Sequence, residues 1–336
     1  MLHFEPFDGD IEAWGRVLET LPDREVFQTP PWLRFLAESQ QAEPAIAVLR
    51  DGNDVAGYFA GATVRWAGAK ILGSPFVGWT TERMGLRLRE GVSKRAAAEA
   101  LARYAFRGLG CWHLEFNDPA FLPQDLEGLG FAHRSTQTYV VDLAADEETI
   151  FQRFSPKSCR YSIRKAEKLG VIVEEASDEQ FAGDYYDQLL DVFAKQSLVP
   201  TYSRKRVELL IKHLLPTGHL LLLRAREPEG RCIATGIFLG MNQNAYFWGN
   251  ASWRQDQHFC PNEALHWYAM RYWKQRGMCS YDFCGAGEYK RKYGGVPTDR
   301  YQFRKSRYFW VATARRLAYR CFKWRQALLG RRSGRR

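Results

Sequence analysis

The chain has 336 residues, 46% of them hydrophobic and 14% aromatic, and carries 48 Lys and Arg against 38 Asp and Glu. That length fits two domains of ordinary size, and the composition is too apolar for general disorder. No run of about 18 uncharged apolar residues occurs, which excludes a membrane-spanning helix, and the acidic start MLHFEPFDGDIEAWG does not read as a signal peptide.

The first half reads as mixed α/β. Helical periodicity runs through DIEAWGRVLETL and through PPWLRFLAES, where Pro30 or Pro31 suits a first helical position. PAIAVLRD, DVAGYFAGATVRW and AKILGSPFVGW read as strands, the first two joined as a hairpin by Asp51-Gly52-Asn53-Asp54. GLRLREG lacks the spacing of a nucleotide-binding loop. Ser93 caps an Ala-rich helix, KRAAAEALARYAFRG; the strand CWHLEF, a short helix near AFLPQDLEGLG and the strand FAHRSTQTYVVDL follow.

The second half repeats that order. EETIFQRF, KSCRYSIRKAEKLG, DEQFAGDYYDQLLDVFAKQ and SRKRVELLIKHLL read as helices, and HLLLLRARE, RCIATGIFLGM and NAYFWGNAS as three strands. Pro261 or Asn262 starts the helix NEALHWYAMRYWKQRG, and the strand CSYDF comes after it. GCWHLEF and GMCSYDF align without gaps, each a helix-closing glycine followed by a strand that ends in an acid and Phe. The halves therefore read as two copies of one α/β unit. The expected division is 1–145, 146–310 and a basic tail, 311–336.

The seven cysteines form no C-x-x-C pair and their number is odd, which suits free thiols in a reducing, cytoplasmic compartment. The seven histidines show no metal spacing, so no bound metal or cofactor is expected. Charge is unevenly spread. From Arg300 to Arg336 there are 13 Lys or Arg and no acid, while the remaining 299 residues carry 35 basic and 38 acidic side chains. Within this tail Trp310, Val311, Ala314, Leu317, Ala318, Cys321, Phe322, Leu328 and Leu329 follow helical spacing, with arginines and Lys323 between them. Such a helix suits an anionic membrane, or packs on the body with its cations in water.

The stretch YDFCGAGEYKRKYGG resembles the end of an acetyltransferase-like (GNAT) domain, and LEGLGF at 126–131 a degenerate copy of the same motif. Together with FQTPPWL, RYSIRKAEKLGV and PNEALHW…GMCSYDFCGAGEYKRKYGG, it resembles the Fem-like family of double-GNAT transferases over about residues 25 to 305. The resemblance implies two mixed, mainly antiparallel sheets flanked by helices. It further implies a cytoplasmic acyl or aminoacyl transferase acting on an amine or hydroxyl of a cell-envelope precursor. The donor would be aminoacyl-tRNA or acyl-CoA as co-substrate, and the family pattern puts Lys290 at the acyl site. A second reading is a catalytically silent GNAT-like module that binds membrane or RNA through its tail.

Acyl transfer needs positioned reactants, donors for the oxyanion and a base for the amine proton. Lys290 is the candidate oxyanion stabiliser, and Lys290→Met is expected to abolish transfer with the fold intact. Asp282 or Glu288 is the candidate base. Tyr289, Arg291, Lys292 and Tyr293 flank Lys290, although cations before Gly294 equally suit a solvated helix end. Lys157, Arg160 and Arg164 recur at helical spacing, where phosphates could sit or where water could. No intact R/Q-x-x-G-x-G/A turn follows NAYFWGNAS; Arg254 and Asn262 lie there instead, with Pro261 in place of an N–H donor. Trp248 and Asn250, at the end of that strand, are candidates to line the cleft, or to pack in the core.

Overall fold

The computed structural model describes residues 1–66, 68–195 and 198–333. In chain order the first half holds β1 (His3–Pro6), α1 (Ile11–Glu19), α2 (Pro30–Gln40), β2 (Glu43–Asp51), β3 (Asp54–Trp66), β4 (Ala69–Ser74), β5 (Leu86–Leu88), α3 (Lys94–Arg103), β6 (His113–Asn117) and β7 (Ala132–Asp142). The second holds α4 (Glu147–Gln152), α5 (Tyr161–Lys168), β8 (Ile172–Glu175), α6 (Phe181–Lys195), α7 (Arg204–Leu214), β9 (Leu220–Arg226), β10 (Cys232–Met241), β11 (Asn244–Ser252), α8 (Pro261–Gln275), β12 (Ser280–Asp282), β13 (Val296–Ser306) and α9 (Phe309–Ser333). The mixed α/β class read from the sequence is the class observed. The strand expected over AKILGSPFVGW stops at Ser74, because Pro75 has no N–H to donate to a ladder. β1, β5, β8 and β13 were not legible in the pattern. They are short, or, in β13, mostly polar.

Two compact units form, Met1–Gln137 with Asp299–Leu317 and Thr138–Thr298 with the chain from Ala318 on. The boundary expected at 145/146 thus falls earlier, and part of the expected second domain belongs to the first unit. The cause is strand pairing. Thr138–Asp142 includes the residues of β7 that pair with β12, and the Gln302–Ser306 end of β13 pairs with β6.

In the first unit β1, β2, β3 and β4 form an antiparallel series, and β4 then runs parallel to β6, with Ile71 opposite His113 and Ser74 opposite Phe116. Its core gathers Phe59, Leu72, Leu101, Leu114, Phe116 and Phe303.

In the second unit β8, β9, β10 and β11 are antiparallel in series, and β11 runs parallel to β12. The two aligned segments GCWHLEF and GMCSYDF therefore supply equivalent strands, each following a helix and pairing parallel with the last strand of an antiparallel series. The acid at the matched position is buried in both, Glu115 and Asp282 each at 2% exposure.

Opposite faces of β10 carry different helices, as alternation along a strand demands. Thr235 donates to Gln188 of α6 at 2.7 Å, whereas Phe238 stacks edge-on to His266 of α8. The fit to α8 is close. A Cβ on Gly240 would stand 2.4 Å from Cε3 of the buried Trp273 ring. Gly240→Ala should therefore lower the stability of the whole chain by about 1–3 kcal/mol through overpacking. Urea unfolding followed by fluorescence measures this, and an unchanged midpoint would contradict the packing.

Candidate active site

The site is built where β11 leaves β12. Their parallel register runs only from Asn244–Ser280 to Tyr246–Asp282, yet β11 continues to Ser252 against β10. Between Phe247 and Gly249 the β10–β11 register shifts, so Trp248 is an extra residue, a β-bulge. The bulge re-aims side chains. Phe247 stays on the α8 face, 4.7 Å from the His266 ring, while Trp248 lies 6.4 Å from Tyr185 of α6 and 5.4 Å from Tyr202. Gly249 faces the same way, because a Cβ there would meet the Tyr185 hydroxyl at 2.5 Å. That hydroxyl pairs with the Tyr202 hydroxyl at 2.8 Å. Trp248 is buried, and its Nε1–H finds no hydrogen-bond partner.

Beyond the bulge, Asn250 Nδ2 donates to Asn262 Oδ1 at 3.0 Å, and Asn262 Nδ2 donates to Ser252 Oγ at 3.2 Å. The structure thus brings Asn250 and Asn262 together, while Trp248 packs toward Tyr185 and Tyr202. Arg254 is exposed at the start of the 3-10 segment Arg254–Phe259, its backbone N–H donating to Asp191 Oδ2 at 3.2 Å. That segment is fixed by Arg231, whose guanidinium grips the buried Asp256 carboxylate at 2.6 and 2.9 Å.

A second group of the sequence-expected residues surrounds the turn after β12. Asp282 accepts from the Thr138 hydroxyl and from Cys284 N–H, the latter at 2.8 Å, and Thr138 Oγ1 accepts from Gly285 N–H at 3.1 Å. Lys290 is buried at 6% exposure, and its ammonium donates to the carbonyls of Phe283 at 2.9 Å and Gly285 at 2.7 Å. Asp282 and Lys290 thus grip the same turn from two sides. Lys290→Met would remove the donor to the buried Phe283 carbonyl and to the partly buried Gly285 carbonyl, so a cost to stability is expected beside any loss of transfer.

Glu288 is exposed and accepts from the Tyr139 hydroxyl at 2.8 Å; that bond, first among the causes, raises the phenol above its ordinary range. Tyr289 and Arg291 are exposed, and Arg291 lies 3.9 Å from Glu288. Lys292 pairs with Glu263 in the first turn of α8, and its carbonyl accepts from Ser155 N–H at 2.8 Å. Tyr293 is core, 5.0 Å from Phe283 and 4.9 Å from His266. Lys157 and Arg164 are exposed, Arg164 with its guanidinium 5.6 Å over Phe151, and Arg160 donates to Gln152. Thr138, Tyr185 and Tyr202 escaped the sequence reading, because nothing in a sequence pairs them with residues so far away. Gly249 carried a signal, since a glycine inside a strand marks a close approach.

His266 is held neutral. Burial first, and then the Lys292 and Lys290 charges, hold its pKa down to about 3, and its Nδ1 lies 2.8 Å from the Tyr281 hydroxyl. The unfolded imidazole titrates near ~6.5. This group's contribution is therefore whole above that pH and is lost as pH falls toward 3, by at most about 1.4 kcal/mol per pH unit. His266→Gln should unfold with a weaker dependence on pH between pH 7 and pH 4.5 than the unmodified chain, as read from urea midpoints.

Residues 153–292 match the family model described as an acetyltransferase (GNAT) domain. No curated protein sequence matches the chain. Among solved structures, FemX superposes with a TM-score of 0.68 at 13% identity, covering 88% of this chain and 96% of its own. The structure of L-PGS from Bacillus licheniformis gives 0.54 at 14% identity, covering 99% and 98%. A tandem GNAT protein from the clavulanic acid biosynthesis pathway gives 0.52 at 13% identity, covering 91% and 98%. At such identities these likenesses speak for the fold.

Proposed function

We propose that this chain, a GNAT acyltransferase with the Fem-like double-GNAT fold, moves an acyl or aminoacyl group from an activated ester or thioester to an amine or hydroxyl at the parting of β11 and β12. The observation that carries this reading is the early end of the β11–β12 register together with the bulge at Trp248. The β11 main chain beyond Tyr246 lies past its register with β12. There, backbone N–H groups can meet the donor carbonyl and the oxyanion formed from it.

The nucleophile's nitrogen or oxygen bonds to the acyl carbon, the carbon–oxygen or carbon–sulfur bond to the carrier breaks, and the nucleophile's proton ends on the leaving group. Holding both reactants in register is the main demand. In this reading Lys290 and Asp282 are positioning residues that fix the turn facing the site. Glu288, exposed and coupled to Tyr139, is the candidate proton acceptor. Trp248, Tyr289, Asn250 and Asn262 line the acceptor and donor paths. Exposed Lys157, Arg164, Arg254 and Arg291, with Arg160 and Lys292 beside them, border the charged carrier, whereas Tyr293 is buried in the core and takes no part. Both carriers named from the sequence, aminoacyl-tRNA and acyl-CoA, present phosphates that such cations suit. A peptidoglycan or polysaccharide precursor remains the proposed acceptor.

The test is transfer by the purified full chain from radiolabelled aminoacyl-tRNA and from acyl-CoA to an amino-sugar or amino-peptide acceptor. Transfer from one donor assigns the carrier, and none from either would sink the reading. Two variants examine the geometry. Gly249→Ala pushes on the Tyr185 hydroxyl and should lower kcat/KM roughly 10- to 100-fold, because about 1 Å of misplacement costs that much. Lys290→Met should reduce transfer and also lower the unfolding midpoint, by about 1–3 kcal/mol for each stranded carbonyl. A variant as stable as the unmodified chain but inactive would return Lys290 to the oxyanion role.

A further inference from the structure

The C-terminal helix α9 spans Phe309–Ser333 and contains no acidic residue. Its start is fixed to the first unit by aromatic and polar contacts. Trp310 packs edge-on to Trp112 with centroids 5.3 Å apart and stacks on Tyr308 at 6.0 Å. Just before the helix, Arg307 N–H donates to the Trp112 carbonyl at 2.9 Å, and its guanidinium donates to the Phe106 carbonyl at 2.9 Å. Arg315 pairs with the buried Glu115. Trp310 and Arg315 lie about 140° apart around the helix axis, with Trp310 beside Leu317.

What they leave exposed is unusual for a surface helix. Phe309 is 92% exposed, Leu317 57% and Trp324 68%. At about 100° per residue these three fall within about 80° of one another around the helix axis. Arg316 and Arg320 fall on the same side and are exposed, whereas Arg325, also exposed, lies about 80° beyond Leu317. Phe322, Lys323, Leu328 and Leu329, which belong to the tail pattern of the sequence, lie outside the residues whose side chains are described.

We infer that this face of α9 is a docking surface for an anionic lipid bilayer, with Phe309, Leu317 and Trp324 entering the headgroup boundary and Arg316 and Arg320 meeting lipid phosphates. Charge complementarity favours an anionic partner, since all 13 ionised side chains from Arg300 on, Lys or Arg, are cations. The apolar residues select bilayer over nucleic acid. Aromatic side chains also stack on unpaired bases, but a nucleic acid gives little for burying the aliphatic Leu317, whereas the acyl boundary accepts Leu317, Phe309 and Trp324 alike. The helix is already formed and its start already held, so little ordering is lost on contact. No helix among the described residues is long and apolar enough to cross the membrane, so the contact is lateral. The inference is independent of the transfer chemistry.

The experiment is co-sedimentation of the full chain with phosphatidylcholine vesicles containing or lacking 30% phosphatidylglycerol, at low and high salt, with bulk tRNA as competitor. Strong partitioning onto the anionic vesicles is expected, weakened by salt and weak on neutral vesicles. Leu317→Ser with Trp324→Ser should cut partitioning at least tenfold, because the apolar contribution of both side chains is removed. Arg316→Gln with Arg320→Gln should cut it roughly 25-fold, at about fivefold per cation. Thermal unfolding of each variant should match that of the unmodified chain. Indifference to anionic vesicles at low salt, or partitioning that the Ser variant leaves unchanged, overturns the inference. So does displacement from vesicles by stoichiometric tRNA, which would make the face an RNA surface.

Discussion

The second unit depends on one mismatch of strand lengths. β12 pairs with β11 over three residues, whereas β11 runs nine. A bulge at Trp248 falls just past the last shared pair, and it turns Trp248 and Gly249 toward α6. From that single break follow the contact of Trp248 with Tyr185 and Tyr202 and the requirement for glycine at 249. The first unit lacks the break over the equivalent strands. There β4 stays paired with β6 through Ser74, and the Glu115 carboxylate accepts from Val77 N–H at 3.3 Å just past the last pair. The two copies of the motif have diverged in the one feature that opens an edge.

The cations that look catalytic in the sequence are divided by burial. Lys290 is inside, with backbone carbonyls as partners; Lys292 answers Glu263; Arg291 faces water. A buried ammonium is stable only where oxygen atoms surround it, so carbonyls of Phe283 and Gly285 are the condition for Lys290 being there at all. Burial first, and then the Lys292 and Lys290 charges, keep His266 neutral within an aromatic cluster of Phe247, Phe283 and Tyr293. The Lys290 charge in this region therefore fixes the shape of a turn.

Hydropathy period, caps and turn residues made β2, β3, β6, β7, the β9–β11 series and the helices α2, α3, α6, α7 and α8 readable, because each of these elements buries a face with its own period. The aligned GCWHLEF and GMCSYDF announced the repeat for the same reason, a helix end followed by a buried strand. By itself the sequence also determined that positive charge concentrates after Arg300, and which residue types crowd the 282–293 turn. It could not determine which partner each strand takes. β13 follows β12 in the chain but pairs at its end with β6, so the division of the chain near 137 and 299 came from ladder hydrogen bonds between residues far apart in sequence. Nor could it tell a lysine that meets a ligand from one that holds a turn. Residue type and spacing are the same in both cases, and only the placement of two carbonyl oxygens against the ammonium separates them.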